Sequence, residues 1–135
     1  MTENQKIKIL LAEDDKFISK AYQDGLRRAG HEVVAAYDGV EAMQKLKEGF
    51  LPDIILLDLI MPEKNGFETL EELKKDNDLK NIPVIILSNL GQDTDIQRGR
   101  ELGATDYLIK SNFSISEVIE KIKTFIWFNN SPYAD

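Results

Sequence analysis

Pro52-Asp-Ile-Ile-Leu-Leu-Asp58 decides the architecture. Its four central residues are apolar without a break, which is how a strand covered on both faces reads. The run then stops on a carboxylate. Four further apolar runs, Ile7–Ala12, Val33–Ala36, Val84–Leu87 and Tyr107–Ile109, repeat the pattern and are rich in β-branched residues. Segments of helical spacing alternate with them. Ile18, Ala21, Tyr22, Gly25 and Leu26 share one face of the first, and Ile115, Val118, Ile119, Ile122, Phe125 and Ile126 share one face of the last. Strand then helix, five times over, predicts an α/β fold: a (βα)5 doubly wound, five-stranded parallel sheet with helices on both sides.

The boundaries fit. Asp38-Gly-Val-Glu41 and Ser114-Ile-Ser-Glu117 have capping-box spacing. Gly30 and Gly49 fall where helices should end, Asn65-Gly66 marks a turn, and Pro83 opens the fourth strand. The segment Asp93–Leu102 is the weak helix: its apolar stripe is little more than Ile96 and Leu102, with Gly99 inside. It is expected to be held less firmly than the others.

The 135 residues form one domain, with 42% hydrophobic and 30% charged residues. No run of apolar residues is long enough to span a membrane, and the first six residues lack the apolar core of a signal peptide. The chain has no cysteine, which excludes disulfides, thiolate metal sites and thiol catalysis. A cytoplasmic protein is expected. A net charge of -7 argues against direct nucleic-acid binding, which draws on Lys and Arg. The single histidine, His31, is placed in a surface loop and given no role.

The carboxyl ends of the apolar runs carry the chemistry. The first ends in Glu13-Asp14, the third in Asp58, the fourth in Ser88 and the fifth in Lys110. Open α/β sheets bind ligands beyond those ends, where strand order reverses. In the flavodoxin-like order 2-1-3-4-5, Asp58 has the acidic pair one strand away, about 4.8 Å, and Ser88 one strand away on the other side. Lys110 lies two strands off, about 10 Å between backbones, within reach of a long side chain. Three clustered carboxylates call for a cation. Oxygen donors without His or Cys suit Mg²⁺, or alternatively Mn²⁺. A carboxylate can attack phosphorus and form an aspartyl phosphate, while an ammonium and a hydroxyl stabilise the transferring group. Singly, the acids could cap a helix, Ser88 could be a loop residue and Lys110 surface charge.

The segments Ile9-Leu-Leu-Ala-Glu-Asp-Asp15, Pro52-Asp-Ile-Ile-Leu-Leu-Asp-Leu-Ile-Met-Pro62, Asn65-Gly66, Ile82-Pro-Val-Ile-Ile-Leu-Ser88 and Gly103-Ala-Thr-Asp-Tyr-Leu-Ile-Lys110 resemble, in order and spacing, the receiver domain of two-component response regulators. The likeness covers residues 6–128 and leaves residues 1–5 and 129–135 as tails; an output domain is not expected within these residues, and the chain either acts alone or is a piece of a larger regulator or hybrid kinase. It implies that Asp58 accepts a phosphoryl group from a histidine kinase or phosphotransfer protein. Asp14, Asp58 and the Ile60 backbone carbonyl would bind Mg²⁺, with Glu13 holding it through water. Ser88 and Lys110 would engage the phosphoryl group, and Tyr107 would turn inward as the switch. The fourth helix, fifth strand and fifth helix would be the changing face, offered to a downstream protein, an output domain or a second copy. The domain would catalyse only its own phosphorylation and dephosphorylation.

Ser111 stands where the family usually has proline, so the loop after the fifth strand is expected to take a different path. Asn89 stands where Ala or Gly is usual, which should tighten phosphodonor access. Apolar Ile60 and Leu90 flank the site and should hinder a hydrolytic water. Two rivals compete. A dehalogenase-like phosphatase needs a second acid two residues after the nucleophile, where this chain has Ile60. A receiver-like interaction module that is never phosphorylated would usually have lost an acid, the acceptor or the lysine, and all are present. Phe125-Ile-Trp-Phe128 is read as helix-end packing with a candidate docking surface.

Overall fold

The structure is a computed structural model that describes residues 6–130, with side chains described for residues 6–127. Five parallel strands, β1 (Lys8–Ala12), β2 (Glu32–Ala36), β3 (Ile54–Leu57), β4 (Val84–Ser88) and β5 (Asp106–Ile109), lie in the order β2-β1-β3-β4-β5. Five helices connect and follow them: α1 (Lys16–Arg28), α2 (Gly39–Lys47), α3 (Gly66–Lys75), α4 (Asp93–Glu101) and α5 (Ile115–Asn130). This is the doubly wound, flavodoxin-like fold expected from the alternation. The helix α5 runs on past residue 128, and the remaining tail residues lie outside the described ones.

Strand pleating divides the core in two, because successive side chains point to opposite faces. Leu10, Ala12, Ile55, Leu57, Val84, Ile86 and Tyr107 pack on one side beneath α2, α3 and α4. Ile9, Leu11, Ile54, Leu56, Ile85, Leu87 and Leu108 pack on the other beneath α1 and α5. The strands β3 and β4 are buried along their whole length, as their uninterrupted apolar runs require.

The caps follow the chemistry of their residues. Asp15 caps α1, accepting from the Phe17 and Ile18 amides at 2.9 and 3.0 Å. Ser114 and Glu117 form the expected reciprocal box at α5, at 3.1 and 2.8 Å. At α2 only half of that pattern forms: Asp38 accepts from the Glu41 amide, but Glu41 reaches the Tyr37 amide instead. A full box also forms at Asn65 and Glu68, where the sequence was read as a turn. Gly30 and Gly49 follow their helices at φ 96° and 109°, the left-handed geometry that glycine adopts without strain.

Strand order reverses between β1 and β3, so the crevice beyond their carboxyl ends is the switch point. Gly66 lets α3 start against it. A Cβ there would collide with the Asp58 carbonyl oxygen and lie 2.6 Å from Leu59 Cα. Among the described residues no helix is long and apolar enough to cross a membrane.

Candidate functional site

Asp58 follows β3 directly, and its amide donates to the Ala12 carbonyl of β1 at 3.0 Å. That bond continues the sheet ladder by one step and fixes Asp58 beside Glu13. Both are buried, at 6% and 3% exposure, and Ser88 is fully buried at the end of β4. Carboxylate oxygens of Glu13, Asp14 and Asp58 all lie within 4.8 Å of one another. Asp14 is the exposed member, so the cluster opens to solvent on one side. Asp15, the third acid of the run, is spent on the α1 cap.

Lys110, at the end of β5, crosses two strands to reach this cluster. Its Nζ donates to Asp58 Oδ2 at 3.1 Å and pairs with Glu13 Oε1. Asp58 Oδ1 accepts from the Leu59 amide at 2.7 Å and the Ile60 amide at 3.4 Å. One ammonium therefore serves two buried carboxylates. Burial holds Glu13 above the usual carboxylate range, with Lys110 pulling the other way. Burial would lower the Lys110 ammonium, but the bond to Glu13 and the charge of Asp58 outweigh it and hold Lys110 above its ordinary value.

Ser88 and Tyr107 meet at one peptide segment. The Leu90 amide donates to Ser88 Oγ at 3.3 Å, and the Tyr107 hydroxyl donates to the Leu90 carbonyl. The Tyr107 ring is 8% exposed, so it already lies inward. Burial, followed by the charges of Asp95 and Asp58, pushes its hydroxyl up to about 12, which keeps it a donor at any physiological pH. Gly99 of α4 makes room for this ring. A Cβ there would stand 2.7 Å from Ile86 Cδ1 and 3.2 Å from Tyr107 Cδ2.

The structure thus brings Glu13, Asp14, Asp58, Ser88, Lys110 and Tyr107 to one edge of the sheet. Ile60 stands beside Asp58 with its side chain 58% exposed. Leu90 is half-buried and packs against the core. Sequence reading missed Tyr22, which was assigned only to the apolar face of α1. Its ring is buried, and its hydroxyl lies in the fields of Lys110 and Glu13. With Phe17, Lys110, Asn89 and Ser111 it lines a groove between α1 and the start of α5. Phe17 is 90% exposed at the groove's rim. After Lys110 the chain makes a single 3₁₀ turn, Lys110–Asn112, and no peptide bond among the described residues is cis.

The donor set, three carboxylates without imidazole or thiolate, fits a hard divalent cation.

Comparison with known proteins agrees with this geometry. The family model described as response regulator receiver domain matches residues 9–123. A homolog of the transcriptional regulatory protein CpxR from Haemophilus influenzae is 40% identical over 125 residues, 93% of this chain and 52% of that protein. The chain therefore spans about half the length of the transcriptional regulators it matches. The phosphorylated cyanobacterial phytochrome response regulator RcpA superposes with a TM-score of 0.80 at 37% identity, covering 94% of this chain and 96% of that one. The Mn²⁺-bound form of response regulator Rcp1 does so with a TM-score of 0.77 at 32% identity, over 95% and 97%. Sheet order, the acidic crevice and these matches agree: the chain belongs to the response regulator receiver domain family of two-component signalling.

Proposed function

We propose that Asp58 is the phosphoacceptor of this receiver domain, and that Glu13, Asp14, Ser88, Lys110 and Tyr107 serve its phosphorylation and readout. The observation that carries the reading is the convergence on Asp58 of two acids that follow β1 and one ammonium that follows β5, all within ion-pair or cluster distance. One Asp58 oxygen attacks phosphorus, the bond from phosphorus to the donor's leaving atom breaks, and the leaving group departs with that electron pair. Asp14 and Asp58, with the Ile60 carbonyl, would hold Mg²⁺ or Mn²⁺ directly, and Glu13 would hold it through water. The ion's charge would offset that of the three acids and the incoming phosphoryl oxygens.

Lys110 is within 3.1 Å of Asp58 and would transfer its hydrogen bonds to phosphoryl oxygens. In turning its hydroxyl to donate to a phosphoryl oxygen, Ser88 would exchange its acceptor contact with the Leu90 amide for that new bond. That exchange would act on the peptide segment that Tyr107 grips, biasing α4 between two positions. The donor is a histidine kinase or phosphotransfer protein, and the α4-β5-α5 face serves a downstream protein, an output domain or a second copy. The setting is the cytoplasm, and the chemistry is confined to the domain's own phosphorylation and dephosphorylation.

Acetyl phosphate with Mg²⁺ should add one phosphoryl group to the protein, detected by intact mass. Asp58→Asn should abolish the adduct and chelation of Mg²⁺ should prevent it. Labelling that survives Asp58→Asn would overturn the assignment, and no labelling of the wild-type chain would favour an unphosphorylated interaction module. In the same assay, polar replacements at Ile60 and Leu90 should shorten the adduct's lifetime; unchanged decay would remove their shielding role.

A further inference from the structure

Asn89 and Ser111, one residue beyond Ser88 and one beyond Lys110, are hydrogen-bonded to each other. The Ser111 amide donates to Asn89 Oδ1 at 2.9 Å. Sequence gives no hint of this, because 22 residues separate them.

The bond has a local cause. The first amides of a helical turn lack partners within it. The cap residue of the turn at Lys110–Asn112 is Ile109, which offers no side-chain acceptor. Two remedies exist. A proline at position 111 would remove the donor altogether; this chain keeps the donor and supplies an acceptor from the neighbouring loop. Its position has a further consequence. Ser88 of β4 pairs with Ile109 of β5 as the last step of that ladder. The Asn89–Ser111 bond adds one more rung beyond it, built from a side chain. The rung joins the residue after Ser88 to the residue after Lys110.

We infer that Asn89 is a positioning residue for phosphoryl binding: its bond to the Ser111 amide locks the loop carrying Ser88 to the turn carrying Lys110, so that hydroxyl and ammonium are set as one unit. This rests on the reading of Asp58 as phosphoacceptor.

The test is a double-mutant cycle read by beryllofluoride titration in the presence of Mg²⁺, with amide exchange measured in the unliganded protein. Asn89→Ala should weaken beryllofluoride binding by about two- to tenfold, the range for one hydrogen bond. The same change made on top of Ser111→Pro should cost nothing further, because the donor is already gone. On top of Ser111→Ala, which keeps the amide N–H, it should cost as much as in the wild type. The Ser111 amide should exchange faster in Asn89→Ala than in the wild type. Equal losses on all three backgrounds would overturn the pairing. So would an unchanged Ser111 exchange rate, a reading that needs no ligand. Accelerated Ser111 exchange with undiminished affinity would leave a turn cap and overturn the positioning role. A wild-type protein that binds no beryllofluoride would overturn the Asp58 reading, and the positioning role with it.

Discussion

Helices α4 and α5 flank the same strand, β5, yet they are attached in opposite ways. Along α5, Val118 and Ile122 are fully buried and Ile126 nearly so, and Ser114 and Glu117 close a complete cap. In α4 only Gly99 is buried, the cap residue Gln92 makes no side-chain bond to the helix, and Ile96 and Leu102 are only half-buried. Instead α4 is held by close approach and by one cation: Gly99 against Tyr107 and Ile86, and the Arg98 guanidinium 4.2 Å from the centre of the Phe67 ring on α3. Buried aliphatic side chains fix α5 to the sheet through area removed from water. The helix α4 rests on few contacts, and the most central is with Tyr107, whose hydroxyl bonds the Leu90 carbonyl two residues after Ser88. A helix so attached is moved more easily by a small change at Tyr107 than its neighbour is.

The largest test of this contrast is truncation. Ile122→Ala should cost about 2–5 kcal/mol in urea unfolding, the range for a large aliphatic side chain removed from a packed core. Ile96→Ala, at a half-buried site, should cost about 1 kcal/mol or less. Equal costs would break the comparison. A middle-sized effect is expected at Gly99. Gly99→Val would place atoms against Ile86 and the Tyr107 ring, and overpacking of this kind costs about 1–3 kcal/mol. NMR signals of the Tyr107 ring should shift toward a solvent-exposed environment as α4 or the ring gives way; unchanged ring signals would show that the approach is not tight.

The smallest effect belongs to His31. Its Nδ1 accepts from the Ile7 amide at 3.3 Å. Burial, helped by Lys123 of α5, lowers its pKa below 6.5. As pH falls, the unfolded chain therefore takes up the proton first. Stability is fully present above pH 6.5 and declines as pH drops from there through the lower folded value. A His31→Gln variant should lack that part of the pH dependence; an identical pH profile would show that His31 contributes none.

Much of this was legible in the sequence. Uninterrupted apolar runs such as Ile54–Leu57 identify strands buried on both faces, and the polar residues that end them fall on one edge because the strands are parallel. The weakness of α4 was legible from its sparse stripe. What was hidden depends on contact across the chain. Gly99 reads as a helix weakener and is in fact a point of close approach. Asn65 reads as a turn residue and caps a helix. The acidic run Glu13-Asp14-Asp15 could line the site or cap a helix, and the structure divides it: Glu13 and Asp14 join Asp58, while Asp15 caps α1. Asn89 and Ser111 read as two unrelated departures and are partners.

The account's central claim is that charge placed at Asp58 is felt more strongly at α4 than at α5. Hydrogen exchange, followed by mass spectrometry with and without beryllofluoride and Mg²⁺, tests it most directly. Amides of residues 90–101 should exchange more slowly in the liganded protein, while those of 118–126 change less. Equal changes in both helices, or none in α4 while the ligand is bound at Asp58, would contradict it.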